Sequence, residues 1–268
     1  MGNEYINVAD IDFIVRLPFA NMSDDSTITF YDIPAKNGLP WSPNTWKIRY
    51  ALNYKRIPYK VVWVEYPDIK GEMEKLSIQP TDTYPDGSPG PCYTLPAVYD
   101  PTTKRGISDS VLIARYLDDT YPDRPMLFPP ETRTLQAPWS DVLTWPFLAP
   151  MFQFLMPATT WLMNPPSEKV LRAKMPIPME EVYPSGEKKV VEWQKVEKGF
   201  AKMEKWFEKE DMFICGKTVT FADFALGAYL MWTKVVLGSD STEWKDVASW
   251  NNGRWGKFLQ SLEKYEKL

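Results

Sequence analysis

The 268-residue chain contains no histidine. That removes imidazole as a base, an acid or a metal ligand. Cysteine is nearly as scarce. Cys92 and Cys215 are the two present, they form no metal-ligand cluster, and such sparing use of thiols suits a reducing compartment. No run of 18 apolar residues exists, so no membrane-spanning helix is predicted. Charge of one sign is not in large excess either: 31 Lys+Arg against 35 Asp+Glu leaves −4. A mildly acidic balance argues against nucleic acid or an anionic membrane as the main partner. A leader is not evident at the start. Asp12 and Arg16 interrupt the apolar stretch from Ile11 to Ala20, and Met1-Gly2-Asn3-Glu4-Tyr5-Ile6 lacks the Ser or Thr that favours myristoylation. The expected location is the cytoplasm, with residues 1–26 an extension outside the fold.

Hydrophobic residues at 44% and charged residues at 25% are ordinary for a globular protein, so disorder is not the default. The length suits two domains. Aromatic residues are abundant, with 12 Trp, 14 Tyr and 13 Phe. Such a stock fits either an aromatic-lined cavity or a Trp-rich core.

Ile28 to Ile33 reads as a strand, and Pro43 opens a helix in which Trp46, Ile48, Tyr50, Ala51 and Leu52 are apolar. Proline is favourable in a first helical turn, where its missing N–H would be unpaired anyway. Tyr59 to Val64 is a second strand, Ile69 to Leu76 a short helix, and Thr81 to Pro91 a loop rich in Pro, Gly, Asp and Ser. Ala97–Tyr99 and Arg105–Ile107 form a predicted hairpin, followed by a helix from Ser110 to Thr120. This β-α-β-(α)-β-β-α order predicts a mixed four-stranded sheet, its first two strands parallel: an α/β thioredoxin-like domain over residues 27–122. Pro122, Pro125, Pro129 and Pro130 mark a linker, taken as 123–133, and no strand pattern recurs after it. Residues 134–268 are predicted to be all-helical, with an irregular proline-rich stretch at Pro165 to Ser185. Val196, Phe200, Met203 and Phe207 make a helical stripe, as do Trp250, Trp255, Phe258 and Leu262. Thr220-Phe221-Ala222-Asp223 reads as a capping box with Asp in place of Glu. Cys215 reads as core filler.

Three local features sit where a site for a peptide thiol needs them. Ser42 precedes a helix N-terminus, where free amides and the helix dipole favour negative charge, so its hydroxyl is placed to donate to a thiolate; the alternative is a plain N-cap. Pro96 in Thr94-Leu95-Pro96-Ala97 enters a strand after a loop and is a candidate cis peptide that turns the Leu95 N–H and C=O outward for strand-like pairing; the alternative is an ordinary trans proline. Ser108-Asp109-Ser110 begins a helix. Ser110 with the first amides suits a carboxylate and Asp109 suits an ammonium, as an amino-acid head group needs; the alternative is again capping.

Taken together, Ser42-Pro43 before Trp46-Lys47-Ile48-Arg49, Thr94-Leu95-Pro96 before a hairpin, and Asp109-Ser110 before Ile113-Ala114-Arg115-Tyr116-Leu117 resemble a glutathione transferase, over about residues 27–268. Ser42 matches the catalytic serine of the serine-type classes, and the absence of cysteine there argues against the thiol-exchange branch. Phe30-Tyr31-Asp32-Ile33, the run Trp41 to Leu52, and Tyr93-Thr94-Leu95-Pro96 are similar to the fungal-specific class related to bacterial β-etherases. The resemblance implies glutathione as co-substrate without a metal, and a homodimer with affinity for wood-derived phenolics.

On that resemblance glutathione lies along Leu95 and Pro96, gripped at its γ-glutamyl end by Asp109 and Ser110, with Lys70 the candidate for its glycine carboxylate. Ser42 holds the thiolate for attack on a hydrophobic or aromatic electrophile between the domains, near Tyr31, Trp41, Phe147, Phe152 and Phe154. The implied role is detoxification of phenolic or xenobiotic compounds. The rival roles are binding and transport of polyphenols without turnover, and glutathione-dependent aryl ether cleavage.

Overall fold

The computed structural model describes residues 26–81, 92–143 and 149–267. The chain runs β1 (Ile28–Asp32), α1 (Pro43–Tyr54), β2 (Tyr59–Trp63), α2 (Ile69–Lys75), β3 (Ala97–Asp100), β4 (Arg105–Ser108) and α3 (Ser110–Thr120). It continues with α4 (Arg133–Gln136), α5 (Trp139–Leu143), α6 (Ala149–Leu162), α7 (Pro165–Ala173), α8 (Met179–Val182), α9 (Gly186–Glu204), α10 (Phe221–Leu237) and α11 (Thr242–Leu262). The sheet order is β2-β1-β3-β4. β1 pairs parallel to β2 and antiparallel to β3, with Phe30 opposite both Val61 and Val98. The expected thioredoxin-like sheet and the helical remainder are both present. β1 is buried along its whole length, as a central strand covered on both faces requires.

α1 and α10 are the packed spine of the molecule. Tyr50 stacks on Phe224 with centroids 5.7 Å apart, and Tyr54 meets the same ring edge-on at 5.5 Å. Gly227 lets Leu262 of α11 pack against α10, because a Cβ there would lie 2.3 Å from Leu262 Cδ1, while Tyr50 at 3.5 Å would be in ordinary contact. α10 starts at the capping box expected from sequence. The Asp223 carboxylate accepts from Thr220 N–H at 2.8 Å, Thr220 Oγ1 at 2.9 Å and Ile214 N–H at 2.7 Å. Asp223→Ala orphans three donors in a buried place, and is expected to cost about 2–4 kcal/mol in denaturant unfolding. A loss under about 0.5 kcal/mol would show that water replaces the carboxylate.

Three sequence expectations need correction. Pro165 to Ser185 is not irregular: it holds α7 and α8. Pro165 and Pro166 occupy the first turn of α7, the one place where a helix accepts them without loss. The tail stripe is not one helix, since Trp250 to Gly253 leave helical angles, with Asn251 at φ 53° and Asn252 at φ 60°. Trp255, Phe258 and Leu262 are buried beyond that break. Cys215 is exposed, not core filler. It lies in a tight turn where Phe213 and Gly216 exchange backbone hydrogen bonds. No helix among the described residues is long and apolar enough to cross a membrane.

Candidate functional site

Two adjoining cavities open between the sheet domain and the helices, and Asn44 and Tyr229 line both. The larger, about 470 Å³, is walled by Leu95, Pro96, Asp109 and Ser110 on the sheet side and by Asp141 and Tyr229 on the helical side. The smaller, about 180 Å³, holds Ser42 among Trp41, Tyr66, Phe152, Met156 and Trp232.

Ser42 has extended backbone angles (φ −64°, ψ 125°) and its side chain makes no capping hydrogen bond to α1. The plain N-cap alternative therefore does not describe it. The residue is 4% exposed, its carbonyl accepts from Trp46 N–H and Thr45 Oγ1, and its hydroxyl is left at the cavity wall. The Asn44 and Thr45 amides follow in a first turn that offers them no helical acceptor. An anion set there meets a hydroxyl, free amides and the positive end of α1.

The Leu95–Pro96 bond is cis. Ser108 Oγ donates to Thr94 O at 2.8 Å and Pro96 O at 3.1 Å, tying down the residues on either side. Leu95 N–H and C=O bond to no other backbone group among the described residues. Asp109 sits at φ 80°, and one carboxylate oxygen caps α3 by accepting from Val111 N–H at 2.8 Å and Leu112 N–H at 2.9 Å. Capping thus occupies Oδ1 and, among the described residues, leaves Oδ2 without a hydrogen-bond partner in the cleft that Asp109 lines. Ser110, first residue of α3, borders the same cleft.

The remaining candidates divide. Trp41 and Phe152 line the smaller cavity. Phe154 does not: it is fully buried against Tyr183 and Trp193. Two residues apart on a helix point about 200° apart, so Phe152, Met156 and Thr159 share the cavity face of α6 and Phe154 faces α9. Tyr31 also lines neither cavity. It alternates with Phe30 along β1 and feels Glu72 of α2, and burial pushes its phenol pKa up. Phe147 lies outside the described residues. Lys70, the candidate for the glycine carboxylate, stands apart. On α2, its side chain is 61% exposed and 3.8 Å from Glu74, and it borders neither cavity.

Sequence reasoning missed Asn44, Lys47, Tyr66, Tyr229 and Trp232. Tyr229 and Trp232 belong to the apolar run of α10, which reads as core. Tyr66 is brought in by α7: Glu65 accepts from Asn164 Nδ2 at 2.7 Å and from Ser167 Oγ, and Tyr66 N–H donates to Ser167 Oγ at 2.9 Å. Loss of solvent pushes the Tyr66 phenol up to about 12, so it remains a donor at neutral pH. Lys47 is a buried ammonium on the wall of the larger cavity.

A thioredoxin-like domain presenting an open peptide edge and a serine at a helix N-terminus, closed by a helical domain, defines the class of thiol-peptide transferases. Residues 41–120 match the glutathione S-transferase N-terminal domain and residues 134–265 the C-terminal domain of that family. A glutathione S-transferase-like protein, ustS, of Aspergillus flavus is 30% identical over 90% of this chain and 93% of its own. The crystal structure of the glutathione S-transferase CsGST63524 of Ceriporiopsis subvermispora in complex with glutathione is 41% identical, with a TM-score of 0.84 over 90% of this chain and 98% of that one. The β-etherase LigF of Sphingobium sp. shares the fold alone, at 17% identity and a TM-score of 0.52 over 88% of this chain and 94% of its own. The chain belongs to the glutathione S-transferase family and is an enzyme of that type.

Proposed function

We propose that the chain joins glutathione through sulfur to small aromatic electrophiles, with glutathione in the larger cavity and the acceptor in the smaller. The observation that carries this is Ser42: a hydroxyl excused from capping, at the positive end of α1, on the wall of an aromatic cavity next to a peptide-lined cleft. Leu95 pairs with the peptide as an added strand would, and Asp109 and Ser110 receive the γ-glutamyl head group. The thiol proton leaves to solvent. The thiolate forms a C–S bond to the acceptor carbon as the bond to the leaving group breaks, and the leaving group departs with the electron pair. Trp41, Phe152 and Trp232 supply aromatic faces for the acceptor. A cavity of about 180 Å³ suits one substituted ring, since a cavity of about 150 Å³ accepts benzene. The glutathione-binding domain is assigned to residues 27–122 and the acceptor domain to 134–268, with residues 123–133 the linker, and the family resemblance supports a cytoplasmic homodimer acting in detoxification.

Tyr66 favours a second reaction on the same site. A phenol that stays protonated beside the acceptor can give its proton to a departing aryloxide, which suits cleavage of an aryl ether. Incubation with glutathione and either an activated aryl halide or a β-aryl ether, followed by mass spectrometry, separates the cases. The proposal expects glutathione adducts of a single-ring halide. A phenol released from the ether adds the second reaction. Tight phenol binding with no adduct from either substrate refutes transfer and leaves a carrier.

A further inference from the structure

We infer that Lys47 is the anion receptor of the larger cavity and holds the α-carboxylate of the γ-glutamyl group; this rests on the glutathione reading above. Lys47 is 3% exposed. A lysine ammonium carries three donors, and burying it is costly unless they are met. Among the described residues it makes one hydrogen bond, to Asn44 Oδ1 at 3.0 Å, and its Nζ stands 5.4 Å from the centre of the Tyr229 ring. Its other donors have no protein acceptor among those residues, and it borders the cleft.

The charges that face it come from two elements. Asp109 at the start of α3 and Asp141 of α5 both act on it across the cleft, and neither forms an ion pair with it. Burial pulls the ammonium down to about 8 and these two carboxylates oppose that. The cleft thus presents one cation and two anions, the complement of a zwitterion. The ligand's carboxylate meets Lys47 and Ser110, and its ammonium meets the free oxygen of Asp109 with Asp141 behind it. A glutamyl group attached through its side-chain carboxyl keeps both charges on its α-carbon; an ordinary peptide bond, made at the α-carboxyl, removes one.

Titration calorimetry with S-methylglutathione, whose sulfur cannot titrate, and with its analogue lacking the γ-glutamyl α-carboxylate tests the assignment. Wild type is expected to bind S-methylglutathione on the order of 10- to 100-fold more tightly than the analogue. Lys47→Met is expected to erase most of that difference by weakening S-methylglutathione alone. Asp109→Asn, which keeps the cap oxygen, is expected to weaken both ligands, because both retain the ammonium. Near pH 8.5 wild type is expected to take up a proton on binding S-methylglutathione, as the ligand carboxylate restores the Lys47 charge, and Lys47→Met to lose that part of the uptake. If the methionine variant does not fold, Lys47→Gln, which keeps a donor for Asn44, gives the same comparison. Equal weakening of both ligands by the Lys47 variant, or no weakening of either, overturns the assignment while leaving glutathione binding standing. A wild type that binds neither glutathione nor S-methylglutathione overturns the reading beneath it.

Discussion

Ser42→Ala is expected to lower kcat for aryl conjugation by roughly 10- to 30-fold near neutral pH, while glutathione affinity changes by less than about threefold. A hydroxyl that donates to bound sulfur favours thiolate over thiol. Lowering a thiol pKa by about two units corresponds to about 2.7 kcal/mol, two orders of magnitude in the ionisation constant and roughly 25-fold in the thiolate fraction at pH 7. Peptide contacts at Leu95, Asp109 and Ser110 do not involve that hydroxyl, so binding is spared. A serine that merely capped α1 would give the opposite pattern, with about 1 kcal/mol of stability lost and kcat unchanged. The side chain makes no cap bond, so thermal stability should stay within about 1 kcal/mol of wild type. Raising the assay pH should narrow the kcat gap, because solution then ionises the thiol without help.

The second large effect is on stability. Lys55 and Asp118 form an ion pair at 2.8 Å with side chains 0% and 1% exposed. The ammonium also donates to Pro125 O at 3.1 Å. The carboxylate accepts from Leu127 N–H at 3.0 Å through Oδ1 and from Phe128 N–H at 3.0 Å through Oδ2. One carboxylate near the end of α3 therefore holds the end of α1 and the chain entering the helical domain. Asp118→Ala leaves a buried ammonium and two buried amides unpaired. The expected cost is about 3–5 kcal/mol, against a total stability of about 5–15 kcal/mol for a folded protein, with Tm lower by roughly 10 °C. Adding Lys55→Met should return at least about 1 kcal/mol by removing the stranded charge. Folded variant at low temperature should keep the wild-type KM, since neither residue borders a cavity. A Tm within about 2 °C of wild type would contradict this account of the domain junction.

Much of the sheet domain was legible because its signals are local. Ser110–Thr120 begins and ends as its caps dictate, Pro43 opens α1, and the hairpin and the Thr220–Asp223 box stand where their residue types put them. What escaped depends on tertiary context or on phase. Pro165-Pro166 looks like a loop until it is placed in a first helical turn. Phe152 and Phe154 are equally aromatic, and only the phase of α6 decides which one meets the cavity; Phe152, Met156 and Thr159 at i, i+4 and i+7 held that information. Lys47, in Trp46-Lys47-Ile48-Arg49, reads as a surface residue of an amphipathic helix, because nothing local reveals that α10 packs over it. Tyr229 and Trp232 lie in a run so apolar that every position reads as core, although those two border space. Lys70 was drawn in by its sign of charge, and its exposed side chain borders neither cavity.

Ultraviolet titration of glutathione bound to the wild-type protein measures the ionisation of its sulfur directly. The bound thiol is expected to titrate near 6.5, about two units below a free thiol, and near its free value in Ser42→Ala. A bound thiol that ionises in the wild type as it does in water would contradict the role given to Ser42 and the N-terminus of α1.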